Sequence, residues 1–324
     1  MNRASRVSAA ASVAALLGLV GCSSHTADPA AGTDSPIIEN CGFDLPAEPT
    51  PERVVTIKST PLELMLALDL SELVVGAAFL DGPPPEELLP RDWEVPVLAE
   101  ELPGREALLA AEPDVVFAGW ESNLSADGIG TREDLSDMGL RSYIAPPACE
   151  FGQEASPLRF EDIFEMITEV GVLFAAEDRA AALIDEQRTA LEGIEEPESP
   201  QQLLWYSSGE ETPFVGGGTG APQMIIEAAG HTNVGADHPE TWFSMPWESF
   251  VDSDPDIIVL VDAPWHTAAD KRQRLESHAA AQHMTAVQQE QFVVVDFATT
   301  EAGVRNIEAV QTLAESIHVL VGDQ

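Results

Sequence analysis

Residue types that can bind a small molecule follow two of the strands predicted in the first half of this sequence. The run 53–57 predicts a strand that leads into Lys58, Ser59 and Thr60, and the β-branched run 115–117 leads towards Trp120. In an open parallel sheet the ligand crevice lies at the carboxyl ends of the strands, so these side chains are expected to face it. An ammonium group can pair with an anion, and an indole ring can form the wall of a site for a flat ligand. The alternative for Trp120 is packing within the core.

The second half of the sequence places similar residues near the ends of its own predicted strands. The strand over 203–206 ends at Tyr206, the strand over 257–261 is followed by Trp265, and the strand over 292–297 leads towards Arg305. The candidate ligand-binding residues of both halves are Lys58, Ser59, Thr60, Trp120, Ser122, Asn123, Tyr206, Ser207, Trp242, Trp265 and Arg305. The Gly-rich segment 215–220 could hold a phosphate through its amides, but it lacks the Gly-Lys-Ser ending of a P-loop. A flexible turn is the simpler interpretation of that segment.

A repeated unit positions these strand ends. Residues 106–119 (EALLAAEPDVVFAG) and 248–262 (ESFVDSDPDIIVLVD) each contain a Glu, a short apolar run, Pro-Asp and a β-branched strand. Eight positions separate Glu106 from Asp114 and Glu248 from Asp256, and the two copies are offset by 142 positions. Two lobes built on one plan would produce this spacing. The alternative is one larger α/β domain in which two similar strands occur by chance.

The repeated unit also predicts the fold class. A short helix that leads into a fully apolar strand is half of a βαβ unit, which implies parallel sheets covered on both faces. We therefore predict an α/β protein with two Rossmann-like lobes that have parallel sheets and a ligand cleft between them. Helical patterns cover 161–174 and 177–194, and the second, about 18 residues or roughly 27 Å long, is expected to be the single long helix that joins the lobes. The expected boundaries are 37–160 for the N-terminal lobe, 161–195 for the helical connection and 196–324 for the C-terminal lobe.

Residues 1–21 predict a lipoprotein signal peptide. Arg3 and Arg6 precede an apolar run over 8–20 that is too short to span a bilayer comfortably, and Leu19 to Cys22 resemble a bacterial lipobox. We expect cleavage before Cys22, lipid attachment to its sulfur, and a flexible tether over 22–36 that is rich in small and polar residues. The protein would then be held at the extracytoplasmic face of the cell membrane by its lipid anchor only. An ordinary signal peptide with an incidental cysteine is the alternative.

The charge balance and the remaining cysteines narrow the possible partners. The chain has 56 acidic and 15 basic residues, and so large a negative field disfavours nucleic acid and anionic lipid surfaces as partners. Cys41 and Cys149 are expected to form a disulfide, because an extracytoplasmic pair of thiols is usually oxidised. No His lies near either cysteine in the sequence, so we do not expect them to bind a metal.

Together, the lipobox, the paired Glu units, the linking helix and the tandem lobes resemble the substrate-binding lipoproteins of ABC importers. The most similar group has a rigid interdomain helix and serves cobalamin, haem and ferric siderophores, and the resemblance covers nearly all of the mature chain. It implies a monomer without a cofactor that captures a small ligand between its lobes and delivers it to a permease dimer and its ATPase. In that family one Glu at the head of each helix docks into Arg pockets of the permease, which by position implies Glu106 and Glu248 here. The alternative for each is a favourable acid at a helix N-terminus.

Five stretches resemble a narrower actinobacterial subgroup, whose members are regarded as binding factor 420-0, the phospholactyl precursor of the 5-deazaflavin coenzyme. They are TIKST (56–60), AGWESN (118–123), LWYSSG (204–209), GAPQMIIEAAG (220–230) and TEAGVRN (300–306). With such a ligand, the candidate aromatic residues would stack on the ring and the serines, Thr60 and Asn123 would bond the polyol. Lys58 and Arg305 would pair with the phosphate, and salt bridges to nearby acids are the alternative for both.

Other classes of function find less support in the sequence. We find no nucleophile elbow, no HExxH motif and no complete P-loop, so we do not expect an enzyme. His266, His278 and His283 have no spacing that predicts a zinc site. A ferric siderophore, a corrinoid or haem is the main alternative ligand. A lipoprotein that signals without transport remains a further alternative.

Overall fold

The computed structural model describes residues 36–126, 128–149 and 156–322. The predicted signal peptide, Cys22 and all but the last residue of the predicted tether lie outside these residues. None of the helices in the described ranges combines the length and the apolar character that crossing a bilayer requires.

The strands of the first lobe, residues 36–149 without 127, are β1 (Ile37–Asn40), β2 (Phe43–Pro46), β3 (Val54–Ile57), β4 (Val74–Ala78), β5 (Val97–Ala99), β6 (Val115–Ala118) and β7 (Arg141–Ile144). Its helices are α1 (Ser59–Ala67), α2 (Arg105–Ala110) and α3 (Arg132–Asp137). Five of the strands form a sheet in which all strands are parallel, in the order β5-β4-β3-β6-β7. The central strand β3 is fully buried, as expected for a β-branched run covered on both faces.

The strands of the second lobe, residues 202–322, are β8 (Gln202–Ser208), β9 (Phe214–Gly216), β10 (Thr232–Asn233), β11 (Trp242–Ser244), β12 (Ile257–Asp262) and β13 (Phe292–Asp296). The helices are α6 (Ala221–Ala228), α7 (Trp247–Asp252), α8 (Ala268–Ser277), α9 (Thr285–Gln288), α10 (Phe297–Thr300) and α11 (Asn306–Gly322). The strands form a six-stranded mixed sheet in the order β11-β9-β8-β12-β13, with β10 also paired to β8. Strands β9 and β11 are antiparallel to their neighbours, whereas only parallel strands were expected from the sequence. The segment 209–213 between β8 and β9 is too short for a crossover, so the chain turns back as a hairpin.

The repeated sequence unit forms the same junction in both lobes, as α2 followed by β6 and as α7 followed by β12. The Asp114 carboxylate accepts hydrogen bonds from the backbone N–H groups of Glu52 (2.7 Å) and Arg53 (3.2 Å), just before β3. The Asp256 carboxylate accepts one from the N–H of Gln202 (2.7 Å), at the start of β8. Each Asp therefore ties the beginning of its own strand to the beginning of the central strand beside it.

The two lobes are joined by a pair of helices, α4 (Phe160–Leu173) and α5 (Glu177–Glu192), which pack side by side. Arg179 of α5 donates to the backbone oxygen of Leu68 in the first lobe (2.9 Å), and Gln187 donates to that of Val304 in the second lobe (2.8 Å). With 16 residues α5 is about 24 Å long. It is thus slightly shorter than the helix expected from the sequence, and α4 supports it along its length.

A hairpin of β1 and β2 precedes the first lobe's sheet and is fastened to its edge strand β7. A disulfide joins Cys41 to Cys149, with 5.4 Å between their Cα atoms. The Asn40 side chain donates to the Ile144 backbone oxygen (2.8 Å) and accepts from the Ile144 N–H (2.9 Å). The buried Arg132 guanidinium donates to the backbone oxygen of Asn40. Covalent and polar contacts therefore hold the hairpin in one place.

Candidate ligand-binding site

The carboxyl end of β3 leads into a buried ion pair between the Lys58 ammonium and the Asp81 carboxylate. These side chains are only 3% and 2% exposed. Ser59 supports the pair, because its hydroxyl accepts from the Asp81 N–H (2.8 Å) and its own N–H donates to the carboxylate (3.4 Å). Lys58 has φ 81° and ψ 165°, a backbone conformation that is almost restricted to glycine and is found mainly where a site requires it.

Three aromatic rings surround the Lys58 ammonium. Its nitrogen lies 4.0 Å from the ring centroid of Trp120, 4.5 Å from that of Phe79 and 5.8 Å from that of Phe297. These distances are within the range of a cation–π interaction. Gly119 allows the close approach, because a Cβ at that position would lie 2.8 Å from the Lys58 Cβ. Phe79 and Trp120 belong to the first lobe, whereas Phe297 begins α10 in the second lobe.

Trp120 also makes a polar contact with the second lobe. Its indole Nε1–H donates to the Glu301 carboxylate at 2.7 Å. Burial raises the pKa of Glu301 to about 7; the nearby Asp81 carboxylate also raises it, while the bond from Trp120 and the Lys58 charge lower it. The contact therefore holds a carboxyl group whose charge changes near neutral pH.

A second polar contact between the lobes joins Arg305 to Glu63 of α1. The guanidinium Nη1 lies 3.3 Å from the Glu63 carboxylate, and the same guanidinium donates to Glu308 of its own lobe at 2.8 and 3.0 Å. Burial raises the pKa of Glu63 to about 7, although the charge of Arg305 opposes the increase. Both basic residues that the sequence analysis assigned to a phosphate are thus paired with carboxylates in this structure.

Thr60 and Gly303 bring the two lobes into van der Waals contact beside these polar groups. A Cβ at Gly303 would lie 2.5 Å from the Thr60 Cγ2 atom, so the two chains meet without space for a side chain. We call the residues that meet here the interlobe cluster: Lys58, Thr60, Glu63, Phe79, Asp81, Trp120, Phe297, Glu301, Gly303 and Arg305.

Several other predicted residues lie near this cluster with different roles. Trp265 is 60% exposed and packs edge-on against Phe297, with 4.7 Å between ring centroids. Ser122 is exposed and Ser207 is buried. The buried Asn123 accepts from the Trp120 N–H (3.0 Å) through its side-chain oxygen, so this oxygen orients the turn that carries Trp120.

Tyr206, predicted to stack on a ligand, lies instead in the core of the second lobe. Its side chain is fully buried, its hydroxyl donates to the Gly209 backbone oxygen (2.7 Å), and its ring packs against Trp247, Phe250 and His266. The strand β8 continues beyond the point where the sequence analysis ended it, so Tyr206 is within the strand.

Trp242 lies on the edge strand β11, where its ring stacks on Phe214 with 6.4 Å between centroids. The Gly-rich segment nearby does not form a phosphate cradle. The N–H groups of Gly217 and Gly218 donate to the backbone oxygens of Thr241 and His238, both at 2.9 Å. These two amides therefore have protein partners.

The structure adds Phe79, Asp81, Phe297 and Glu301 to the residues found from the sequence. Phe79 and Asp81 follow the end of β4 and satisfy the same rule that selected Lys58 and Trp120, but the end of that strand was not located from the sequence. Glu301 and its contact with Trp120 could not be paired from the sequence, because 181 positions separate them. Within the described ranges no three His, Cys, Asp or Glu side chains are placed to share a metal ion.

Glu106 and Glu248 are both exposed, and each is the second residue of its helix, α2 or α7. Because each helix precedes a strand of its sheet and runs antiparallel to it, its first turn lies towards the carboxyl edge of that sheet. The two carboxylates are thus presented on the same edges of the lobes that carry the interlobe cluster.

Comparison with known proteins identifies the family. The sequence profile described as periplasmic binding protein matches residues 54–299. The chain belongs to this family. The periplasmic binding protein described here is 25% identical over 282 residues to an uncharacterized ABC transporter substrate-binding lipoprotein, YvrC, of Bacillus subtilis, with 85% of this chain and 82% of YvrC covered.

Solved structures show the same two-lobed fold. A periplasmic binding protein from Veillonella parvula has a TM-score of 0.78 at 22% identity, covering 88% of this chain and 98% of its own. The structure described as an ABC-type Fe3+-hydroxamate transport system from Saccharomonospora viridis has a TM-score of 0.74 at 27% identity, covering 87% and 99%. The predicted α/β fold with two lobes is therefore confirmed.

Proposed function

We propose that this periplasmic binding protein is the substrate-binding component of an ABC importer, which captures a small molecule between its lobes and delivers it to a permease. The interlobe cluster carries the proposal, because it gathers aromatic rings and ionisable groups from both lobes at the carboxyl ends of their strands, where open α/β sheets bind ligands. The name of the Bacillus relative supports the same role. Lipid attachment at Cys22 would hold the protein at the extracytoplasmic face of the membrane.

Glu106 and Glu248 are proposed to dock the two lobes onto the two permease subunits. Both are exposed acids in equivalent positions of the repeated unit, which suits a partner with two equivalent basic pockets. Charge reversal at either, Glu106→Arg or Glu248→Arg, should abolish uptake of the substrate by cells while the affinity of the purified protein stays unchanged. Glu133→Arg is the matched control, since Glu133 is an exposed acid in the first turn of α3. If uptake survives both reversals, the docking proposal fails and a role without transport becomes the better explanation.

For the ligand we propose factor 420-0, on the resemblance of the five sequence stretches. The rings of Trp120 and Phe297 could hold a flat deazaflavin, with Trp265 at the edge of the site. Its phosphate would have to displace Asp81 from Lys58 or Glu63 from Arg305, because both cations are paired with these carboxylates in this structure.

A ferric siderophore is the second candidate. The existing ion pairs leave both Lys58 and Arg305 neutralised, which favours a ligand that needs no cation from the protein. The name of the Saccharomonospora structure supports the same ligand class.

A thermal-shift panel with factor 420-0, cobalamin, haem and several ferric siderophores separates these ligands. A compound present at about one hundred times its dissociation constant should stabilise the folded protein by roughly 2.7 kcal/mol. A shift with factor 420-0 alone supports the narrow assignment, and a shift with a siderophore, corrinoid or haem replaces it while keeping the binding role. If none of these compounds shifts the melting temperature, the proposed ligand classes are wrong.

A further inference from the structure

Two hydrogen-bonded contacts cross the cleft, and each contains a carboxyl group. In one, a donor of the first lobe, the Trp120 indole, binds an acceptor of the second lobe, Glu301. In the other the direction is reversed, because Arg305 of the second lobe donates to Glu63 of the first. Both lie beside the close contact of Thr60 with Gly303. A ligand that enters the cleft from solvent must separate these groups.

We propose that the Trp120–Glu301 and Arg305–Glu63 contacts form a latch that favours closure of the lobes at mildly acidic pH and releases them as the pH rises. The latch regulates the cleft in which the proposed function places the ligand, and its biological use rests on that function. The existence of the latch does not rest on that function, because the latch consists of protein groups alone and the distance between the lobes can be measured without a ligand.

The environment of each carboxyl group sets the direction of the pH dependence. Around Glu301 lie Asp81, Lys58 and the Trp120 indole; around Glu63 lie Arg305, Asp81 and Glu308. In the closed protein burial outweighs the nearby cations and raises the pKa of both carboxyl groups to about 7. Opening admits water and returns each pKa towards its ordinary value of 4.5.

Protons therefore bind more tightly to the closed form. The preference for closure is full below the ordinary pKa of the carboxyl groups and is lost as the pH rises from there through about 7. A carboxyl group whose pKa falls from about 7 to 4.5 on opening changes the open-to-closed ratio roughly 25-fold between about pH 5.5 and pH 8. The Lys58–Asp81 pair lies entirely within the first lobe, so opening does not divide it.

The test measures the distance between the lobes in the ligand-free protein. Fluorophores are attached through noncanonical amino acids at Ala110 of α2 and Ser249 of α7, two exposed positions, so that the disulfide is left intact. Energy transfer between the two fluorophores should decrease as the pH is raised from 5.5 to 8. Glu301→Gln and Glu63→Gln, which keep a neutral side chain able to accept a hydrogen bond, should each reduce that change, and the double variant should remove it.

Glu169→Gln is the matched control. Burial also raises the pKa of Glu169, but its carboxylate accepts from the Tyr143 hydroxyl (2.6 Å) and takes no part in the contacts between the lobes. This variant should keep the pH response of the parent. The latch is refuted if energy transfer in the parent does not change with pH, or if Glu301→Gln and Glu63→Gln respond as Glu169→Gln does. Because no ligand is present, either result leaves the proposed import function to be judged by the thermal-shift panel.

Discussion

Removing the charge of Lys58 should destabilise the first lobe strongly. In Lys58→Met the side chain keeps its length, while the Asp81 carboxylate stays buried without its cation. Breaking a buried ion pair by removing one partner costs about 3–5 kcal/mol. The loss of the cation–π contacts with Trp120 and Phe79 costs at most about 1 kcal/mol more. We therefore expect a loss of about 3–6 kcal/mol in the free energy of unfolding, measured by urea titration with circular dichroism.

Two further variants show whether the buried charge causes this loss. In Lys58→Met with Asp81→Asn, the amide oxygen can still accept from Ser59, so the double variant should recover to within about 2 kcal/mol of the parent. Arg272→Met removes a cation from exposed pairs with Glu276 and Glu290 and should cost less than about 1 kcal/mol.

A loss below about 1 kcal/mol in Lys58→Met would refute this reasoning, since it would mean that Asp81 does not depend on Lys58 in the folded protein. The double variant has a second use. If it folds and binds the ligand with the affinity of the parent, then Lys58 stabilises the first lobe and does not hold the ligand.

Three further outcomes follow from the geometry. Gly303→Ala places a methyl group 2.5 Å from a neighbouring side chain of the other lobe and should lower the free energy of unfolding by about 1–3 kcal/mol. Gly82 has open space around it, so Gly82→Ala should leave the free energy of unfolding unchanged. Equal melting temperatures for the two variants would contradict the close contact at Gly303. Asp114→Ala and Asp256→Ala should each lower the free energy of unfolding by about 1–3 kcal/mol. The larger loss is expected at Asp114, because its carboxylate accepts two backbone hydrogen bonds and that of Asp256 accepts one. A larger loss at Asp256 in urea titrations would contradict this explanation. Reduction of the disulfide, whose cysteines are 108 positions apart, should cost roughly 4–5 kcal/mol, and a melting temperature that dithiothreitol does not change would contradict its stabilising role.

The strand-end rule predicted part of the candidate site from the sequence and explains what it missed. Lys58 and Trp120 were found because the run before each is short, apolar and β-branched, so the end of the strand was placed correctly. Tyr206 was misplaced because β8 runs on to Ser208, which puts the tyrosine within the sheet. Since successive side chains of a strand point to opposite faces, a small error at a strand end decides whether a residue faces the ligand or the core.

The fold was predictable where the pattern is local, and the pairing of charges was not. The repeated helix, Pro-Asp and strand predicted two lobes because each copy forms its structure within a short segment. The partners of Lys58 and Arg305 could not be chosen among 56 acidic residues, because Glu63 and Arg305 are 242 positions apart and meet only after both lobes have folded. The antiparallel strands β9 and β11 depend on a short hairpin, and no spacing rule for parallel units predicts it.

The hairpin of β1 and β2 determines how the protein carries mechanical load. Any force that arrives along the chain at residue 36 enters the first lobe through the disulfide and the contacts of Asn40 and Arg132 with β7. It passes into the edge of the first sheet and bypasses both the interlobe cluster and the second lobe. With the proposed lipid attachment at Cys22, the first lobe would be the stationary part, and the second lobe would open and close without working against the attachment.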